Sequence, residues 1–307
     1  MIKPRVLRPG DRVALVAPAS PFARADFDQG VAELTRLGFE PVYDDGVFDR
    51  RGYVAGEAQA RASAIRNAWQ DATVRGLLGV RGGYGSVQVL PFLPRDEARE
   101  ARRAFIGYSD LTSLLIYLTT TCGVVSFHGP TLVGRLAQGA SGYDRASFVR
   151  SLMRVEPMGE LSAPALEALT DGEAVGPLLG GTLTQIVASL ATPFAFAPPV
   201  GYVLFVDEVG ERPYRLDRML TQLRLSGLLG RASGVVFGEL PGCDEATGTP
   251  TARGVVADVL SDFPGPVLFG LPSGHTTLPA VTLPLGVRTR VVAGNQPRVI
   301  VEEAAVC

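Results

Sequence analysis

Serine, imidazole and carboxylate side chains suited to acyl transfer each stand in this chain where an apolar stretch gives way to a turn. The segment Phe105-Ile106-Gly107-Tyr108-Ser109-Asp110-Leu111-Thr112-Ser113-Leu114-Leu115-Ile116-Tyr117 reads as a short strand, an abrupt polar turn and an amphipathic helix. Ser109 then sits on an elbow, its hydroxyl clear of the backbone and close to first-turn amides able to hold an oxyanion. The match to Gly-x-Ser-x-Gly is partial: Gly107 is in place and the second glycine is missing. The competing reading of Ser109-Asp110 is a helix N-cap, since both residue types accept bonds from first-turn amides.

Only two histidines are present, so a serine–histidine mechanism has two candidate bases. His275 lies in Gly270-Leu271-Pro272-Ser273-Gly274-His275-Thr276-Thr277, a turn-rich loop after the strand Val267-Leu268-Phe269. His128, in Ser126-Phe127-His128-Gly129-Pro130, is also at a strand end, where loops commonly carry catalytic groups. For each, a backbone-bonded structural histidine is the alternative. The strand Tyr202–Val206 runs into Asp207-Glu208-Val209-Gly210-Glu211, and strand alternation sends Asp207 and Glu208 to opposite sides, so one of them faces a cleft. Such an acid could hold the Nδ1–H of a catalytic imidazole; the plain alternative is a solvated loop in which Glu211 pairs with Arg212 or Arg215.

Arg81-Gly82-Gly83-Tyr84-Gly85-Ser86 follows a strand and opens a helical stretch. It lacks the Gly-Lys-Ser/Thr ending of a phosphate loop and the dinucleotide glycine spacing, but glycines that bring backbone amides close to a substrate suit an oxyanion hole, with Tyr84 as a wall. The two histidines fall in unrelated loops and no His-x-x-x-His or cysteine pair occurs, so no ligand set has zinc spacing. Neither a metal nor an organic cofactor is expected. Cys122, Cys243 and Cys307 are an odd, widely spaced set, which fits a reducing compartment. Cys122 reads as a packed residue at the end of an apolar helix, and none of the three is a candidate nucleophile.

Strands alternating with helices through the first half imply a mainly parallel, helix-flanked sheet in an α/β chain. The strands are Arg12–Pro18, Val74–Val80, Phe105–Tyr108 and Val124–Phe127, with helices over Ala23–Leu37 and Glu57–Trp69. Periodicity fades between 154 and 174, which reads as a linker joining a first domain, 1–153, to a second, 175–307. The second holds a helix after Gly180-Gly181-Thr182 through Leu190, strands Tyr202–Val206 and Gly234–Gly238, helices Tyr214–Leu225 and Ala252–Leu260, and a β-rich ending with hairpin turns. With 307 residues, 46% of them hydrophobic, and a net charge of -2, the chain reads as globular, with no basic surplus for nucleic acid. The start, Met1-Ile2-Lys3-Pro4-Arg5, has no secretory signal character and no later apolar run approaches a membrane span, so the expected location is the cytoplasm.

Taken together, these segments resemble the LD-carboxypeptidase family, the muramoyl-tetrapeptide carboxypeptidases of peptidoglycan recycling. The resemblance covers nearly the whole chain. It rests on Val80–Gly85, Gly107-Tyr108-Ser109-Asp110, Phe127-His128-Gly129-Pro130, Gly180-Gly181-Thr182-Leu183, Glu211–Leu220, Gly270–His275 and Thr282-Leu283-Pro284-Leu285-Gly286, in the family's order. It implies a serine peptidase with a Ser-Glu-His triad divided between two domains, the nucleophile falling on Ser109 and the base on His275. The acid departs from the pattern: family members read Glu-Asp where this chain has Asp207-Glu208, and registering on the shared motif puts Asp207 at the glutamate position. The strand pleat favours Asp207, and a bulge would transfer the role to Glu208.

The resemblance further implies an oxyanion hole from backbone N–H groups near Asp110 and within Gly82-Gly83, a murein tetrapeptide as substrate, and a homodimer. In that reaction Ser109 attacks the carbonyl of the L-centre of diaminopimelate or lysine, D-alanine leaves, and water resolves the acyl-enzyme. Arg81 is a candidate for the terminal carboxylate. One rival is the family's microcin C self-immunity branch, which cleaves acyl–nucleotide amides; its mark would be an aromatic stacking on a base, and the single tryptophan, Trp69, falls in a helix remote from the motifs. A rival of another class is a non-catalytic protein holding a small ligand in an interdomain cleft.

Overall fold

The computed structural model describes residues 1–307. Its strands are β1 (Arg12–Val16), β2 (Glu40–Val42), β3 (Val74–Gly79), β4 (Ala104–Gly107), β5 (Ser126–His128), β6 (Gly159–Glu160), β7 (Glu167–Thr170), β8 (Gly172–Thr182), β9 (Tyr202–Asp207), β10 (Ala232–Gly238), β11 (Val267–Leu271), β12 (Leu283–Leu285), β13 (Arg288–Ala293) and β14 (Arg298–Val301). The helices are α1 (Arg24–Arg36), α2 (Ala58–Gln70), α3 (Arg95–Ala101), α4 (Thr112–Ile116), α5 (Arg145–Met153), α6 (Leu183–Ser189), α7 (Pro213–Leu225) and α8 (Ala252–Val259).

Two sheets form. The first runs β12-β5-β4-β3-β1-β2 and is parallel except at β12; the second runs β6-β14-β13-β8-β9-β10-β11-β7, with a parallel centre β8-β9-β10-β11 and antiparallel flanks. The central strands read as continuous apolar runs because both faces are covered: every residue of β9, Tyr-Val-Leu-Phe-Val-Asp, is buried. The helices show the 3.6-residue pattern. In α7, Leu216, Met219, Leu220 and Leu223 form the inward stripe behind Pro213 at the first turn, where its missing N–H costs nothing. Asp144 and Thr251 cap α5 and α8 through their side chains.

Three features differ from the sequence reading. The segment 154–174 reads as a linker, yet it holds β6 and β7, paired antiparallel to β14 and β11 at the two edges of the second sheet, and the start of β8. Strands of 2 and 4 residues in half-exposed edge positions leave no periodic signature. Next, β12 comes from the second half of the sequence but adds to β5 of the first sheet, with Leu283 opposite His128. The halves therefore interlock, and one apolar cluster contains Leu77, Phe105 and Phe127 of the first sheet with Leu178, Phe205 and Leu268 of the second. Burying Phe205 alone is worth about 2 kcal/mol.

Third, the helix after Ser109 is not amphipathic. It tightens to three-ten geometry over Ser109–Leu111, relaxes through α4, and widens to a π-turn over Tyr117–Thr121, with Asp110 to Thr119 all buried. It lies between the sheets, so the polar groups Thr112 and Ser113 are buried as well and bond to residues of the second half. No helix is long and apolar enough to cross a membrane.

Candidate active site

Ser109 follows β4 and takes φ of 65°, a left-handed conformation that costs a serine of order 1 kcal/mol. Tyr108 before it is extended and Asp110 after it begins the buried helix, so the chain turns sharply with the hydroxyl at its apex. A helix cap requires no such strain, and no side-chain capping bond is formed at this helix start. The Ser109 Oγ instead lies 3.1 Å from Nε2 of His275.

Asp207, the last residue of β9, is fully buried, and its Oδ2 lies 2.8 Å from His275 Nδ1. Its Oδ1 accepts the His275 backbone N–H at 3.0 Å, and Thr182, at the end of β8, donates to Oδ2 at 3.4 Å. Burying a carboxyl group is costly unless its oxygens find hydrogen-bond donors, and these supply them. With Nδ1–H held by Asp207, Nε2 of His275 is left to accept a proton from Ser109. Gly274 permits the approach: a Cβ there would lie 2.4 Å from Asp207 Oδ2, and the residue's φ of 72° suits glycine.

Glu208 turns the other way, as the pleat requires. Its carboxylate accepts from Thr184 N and Oγ1 at 2.9 and 2.7 Å, at the start of α6, and from Val209 N at 3.0 Å. Burial pushes its carboxyl upward against those bonds, and it is not joined to His275. Glu211 pairs with Arg215 at 3.3 Å, while Arg212 pairs with Glu245.

The glycine turn closes on the elbow. A Cβ on Gly82 would lie 2.8 Å from Ser109 Cβ, 3.1 Å from its Oγ and 3.4 Å from the backbone N of Asp110. Gly82→Ala is therefore expected to displace the serine and cut turnover about 100-fold while the chain stays folded, which steady-state kinetics beside a melting curve would check. The Asp110 side chain is committed elsewhere, accepting Ser86 N at 2.8 Å and Gln185 Nε2 at 3.2 Å, so what this residue offers the site is its backbone. Gly83 packs against Ser20, whose hydroxyl donates to Tyr53 O and accepts Tyr84 N. Tyr84 and Tyr53 are both exposed and meet edge to face at 5.4 Å. Arg81 is exposed and spends one donor on Pro21 O at 2.6 Å. The buried guanidinium of Arg61 bonds Pro18 O, Gly56 O and Gly85 O, tying the turn to the end of β1.

His128 lies beside the same carboxylate without bonding it. Ser273 Oγ donates its one proton to Val281 O at 2.8 Å and so accepts from His128 Nδ1 at 3.1 Å. Nε2 is thereby left bare, 3.8 Å from Asp207 Oδ2 and with no hydrogen-bond partner. Burial lowers this imidazole from 6.5 to about 4. A base whose folded value lies below its unfolded one is protonated first in the unfolded chain, so stability falls as the pH drops from 6.5 toward 4. Denaturant midpoints across that range should decline more steeply for the parent chain than for His128→Phe.

Arg135 and Glu239 also touch the His275 loop. Arg135 carries no motif signal, whereas Glu239 directly follows β10, the strand-end position that marked Asp207.

These elements bring a serine after the first sheet's β4 within hydrogen-bonding reach of a histidine and a buried acid at the strand ends of the second sheet, an arrangement of the kind serine-type hydrolases use. The chain belongs to the LD-carboxypeptidase family, matching that family's N-terminal domain over residues 13–129 and its C-terminal domain over residues 175–291. A Streptomyces coelicolor protein named as a carboxypeptidase is 34% identical over 94% of this chain and 92% of its own. The murein tetrapeptide carboxypeptidase of Pseudomonas aeruginosa is 28% identical over 94% of each. A solved structure of the microcin C7 self-immunity protein MccF superposes over the whole of both chains with a TM-score of 0.91 at 21% identity, a likeness of fold.

Proposed function

We propose that the chain releases the terminal D-alanine from murein tetrapeptides, as an LD-carboxypeptidase of peptidoglycan recycling. The observation that carries this reading is the hydrogen-bonded line from Ser109 through His275 to Asp207, with the serine on a strained turn. His275 takes the Ser109 proton as Oγ attacks the carbonyl of the L-configured third residue. The oxyanion is held by the backbone N–H of Asp110 and by amides of the Gly82-Gly83 turn, aligned before the charge develops. His275 then hands its proton to the leaving amine of D-alanine, and a water molecule deprotonated by the same imidazole cleaves the acyl-enzyme. Asp207 keeps the imidazole in the tautomer this requires and stabilises the imidazolium. Arg81, with donors to spare beyond its bond to Pro21, receives the carboxylate of D-alanine.

The muropeptide is favoured over an acyl–nucleotide amide because the murein tetrapeptide carboxypeptidase of Pseudomonas aeruginosa is 28% identical to this chain against 25% for the microcin C7 self-immunity protein MccF of Escherichia coli. Trp69 is packed into the core, and the aromatic faces open to a base are those of Tyr53 and Tyr84. The test is a paired assay of the purified chain on L-Ala-D-Glu-meso-diaminopimelyl-D-Ala and on an acyl–adenylate amide. A kcat/KM at least about 100-fold higher on the tetrapeptide is expected, a gap of about 2.7 kcal/mol in transition-state binding. Preference for the nucleotide amide would replace the reading.

A further inference from the structure

The imidazole works only if its loop holds Nε2 within reach of Ser109, and the loop has few apolar anchors of its own. Residues 274–278 are Gly-His-Thr-Thr-Leu, following Ser273 at the end of the motif. Arg135 reaches this loop from the first half of the sequence. Its Nη2 donates to Gly274 O and to Thr276 O, both at 2.8 Å, one carbonyl on each side of His275. Its Nη1 lies 3.5 Å from Leu278 O and 3.4 Å from Gly142 O. All four partners are carbonyls, so this cation is engaged with backbone and not with a carboxylate.

The guanidinium also sits 6.0 Å over the ring of Tyr108, the residue before Ser109, and Tyr108 meets the His275 ring edge to face at 5.0 Å. On the loop's other side Glu239 accepts from Thr276 Oγ1 at 2.5 Å and from Thr277 N and Oγ1 at 2.8 Å. Nη2 thus serves the two carbonyls that flank His275 while Nη1, held in the same plane, reaches Leu278 O and Gly142 O, so the guanidinium fixes the loop from two rigidly related nitrogens where an ammonium offers one.

We propose that Arg135 is a positioning residue for the reaction: by clamping the carbonyls that flank His275 and resting on Tyr108, it ties the histidine loop of one half to the serine elbow of the other and sets the Ser109–His275 distance. This rests on the proposed roles of Ser109 and His275, not on the identity of the substrate.

The test therefore separates serine reactivity from turnover. A fluorophosphonate, which loses fluoride as Ser109 Oγ bonds to phosphorus and its proton passes to His275, reports how well the pair is aligned. The parent, Arg135→Gln and Arg135→Lys would be compared for the rate of labelling at Ser109, for kcat and KM on the tetrapeptide, and for melting temperature. Labelling and kcat are expected to fall together, about 100-fold in Arg135→Gln, with KM within threefold, and guanidinium ion added to that variant should restore part of both. Arg135→Lys should lie between, and carries the test if the glutamine variant fails to fold. Labelling and kcat per folded molecule that match the parent would overturn the proposal. So would a raised KM with unchanged labelling, which would make the guanidinium a substrate-carboxylate ligand. A parent that is not labelled at Ser109 would remove the proposed nucleophile and this inference with it, whereas a parent labelled at Ser109 but inactive on the tetrapeptide would remove only the substrate assignment.

Discussion

Ser109→Ala is expected to reduce D-alanine release by about 10⁵-fold or more while leaving the fold intact, because no neighbouring hydroxyl is bonded to His275 to replace it. The residual rate would come from the amides proposed to hold the oxyanion. The substitution also carries a stability signature. With φ at 65°, alanine inherits the strain of the elbow, whereas Ser109→Gly relieves it; the glycine variant should be the more stable of the two by about 1 kcal/mol. Equal inactivity combined with unequal melting would show that the turn is strained for the sake of the hydroxyl. A helix cap predicts otherwise, with both variants less stable than the parent and turnover largely retained.

The second large effect separates the adjacent acids. Asp207→Asn should lower kcat about 10⁴-fold, since an amide can donate to His275 Nδ1 and stabilise the tautomer that cannot accept the Ser109 proton. Glu208→Gln should leave kcat within threefold and express itself in stability, because its carboxylate serves Thr184 and Val209. Steady-state kinetics and melting curves of both variants would check this, and an exchange of the two phenotypes would transfer the role to Glu208.

That choice was open to sequence reasoning because a pleat alternates sides. β9 enters the site as an unbroken run of buried residues, with no bulge to change the side on which Asp207 projects. The elbow was legible for a similar reason, since an apolar strand interrupted by Gly-Tyr-Ser-Asp announces a turn whatever surrounds it. The buried state of the following helix was not. Its Thr112 and Ser113 imitate a solvated face, and only the second half of the chain, arriving with Thr182 and Gln185, supplies their partners. Contacts of this kind join residues about 70 positions apart and leave no local pattern. The same holds for β12, whose Leu283-Pro284-Leu285 looks like the first limb of a terminal hairpin but crosses to the first sheet. Arg135 was equally silent, because bonds from a guanidinium to carbonyls place no demand on the residue types that present them.

In the proposed reaction Ser109 carries the acyl group from the departure of D-alanine to the attack of water. The most direct measurement is to quench the parent chain in acid during turnover of the tetrapeptide and to locate any covalent adduct by peptide mass mapping. The L-Ala-D-Glu-diaminopimelyl acyl group is expected on the peptide containing Ser109, formed as D-alanine appears and absent from Ser109→Ala. D-Alanine release without an adduct, continuing undiminished in Ser109→Ala, would contradict this role of Ser109.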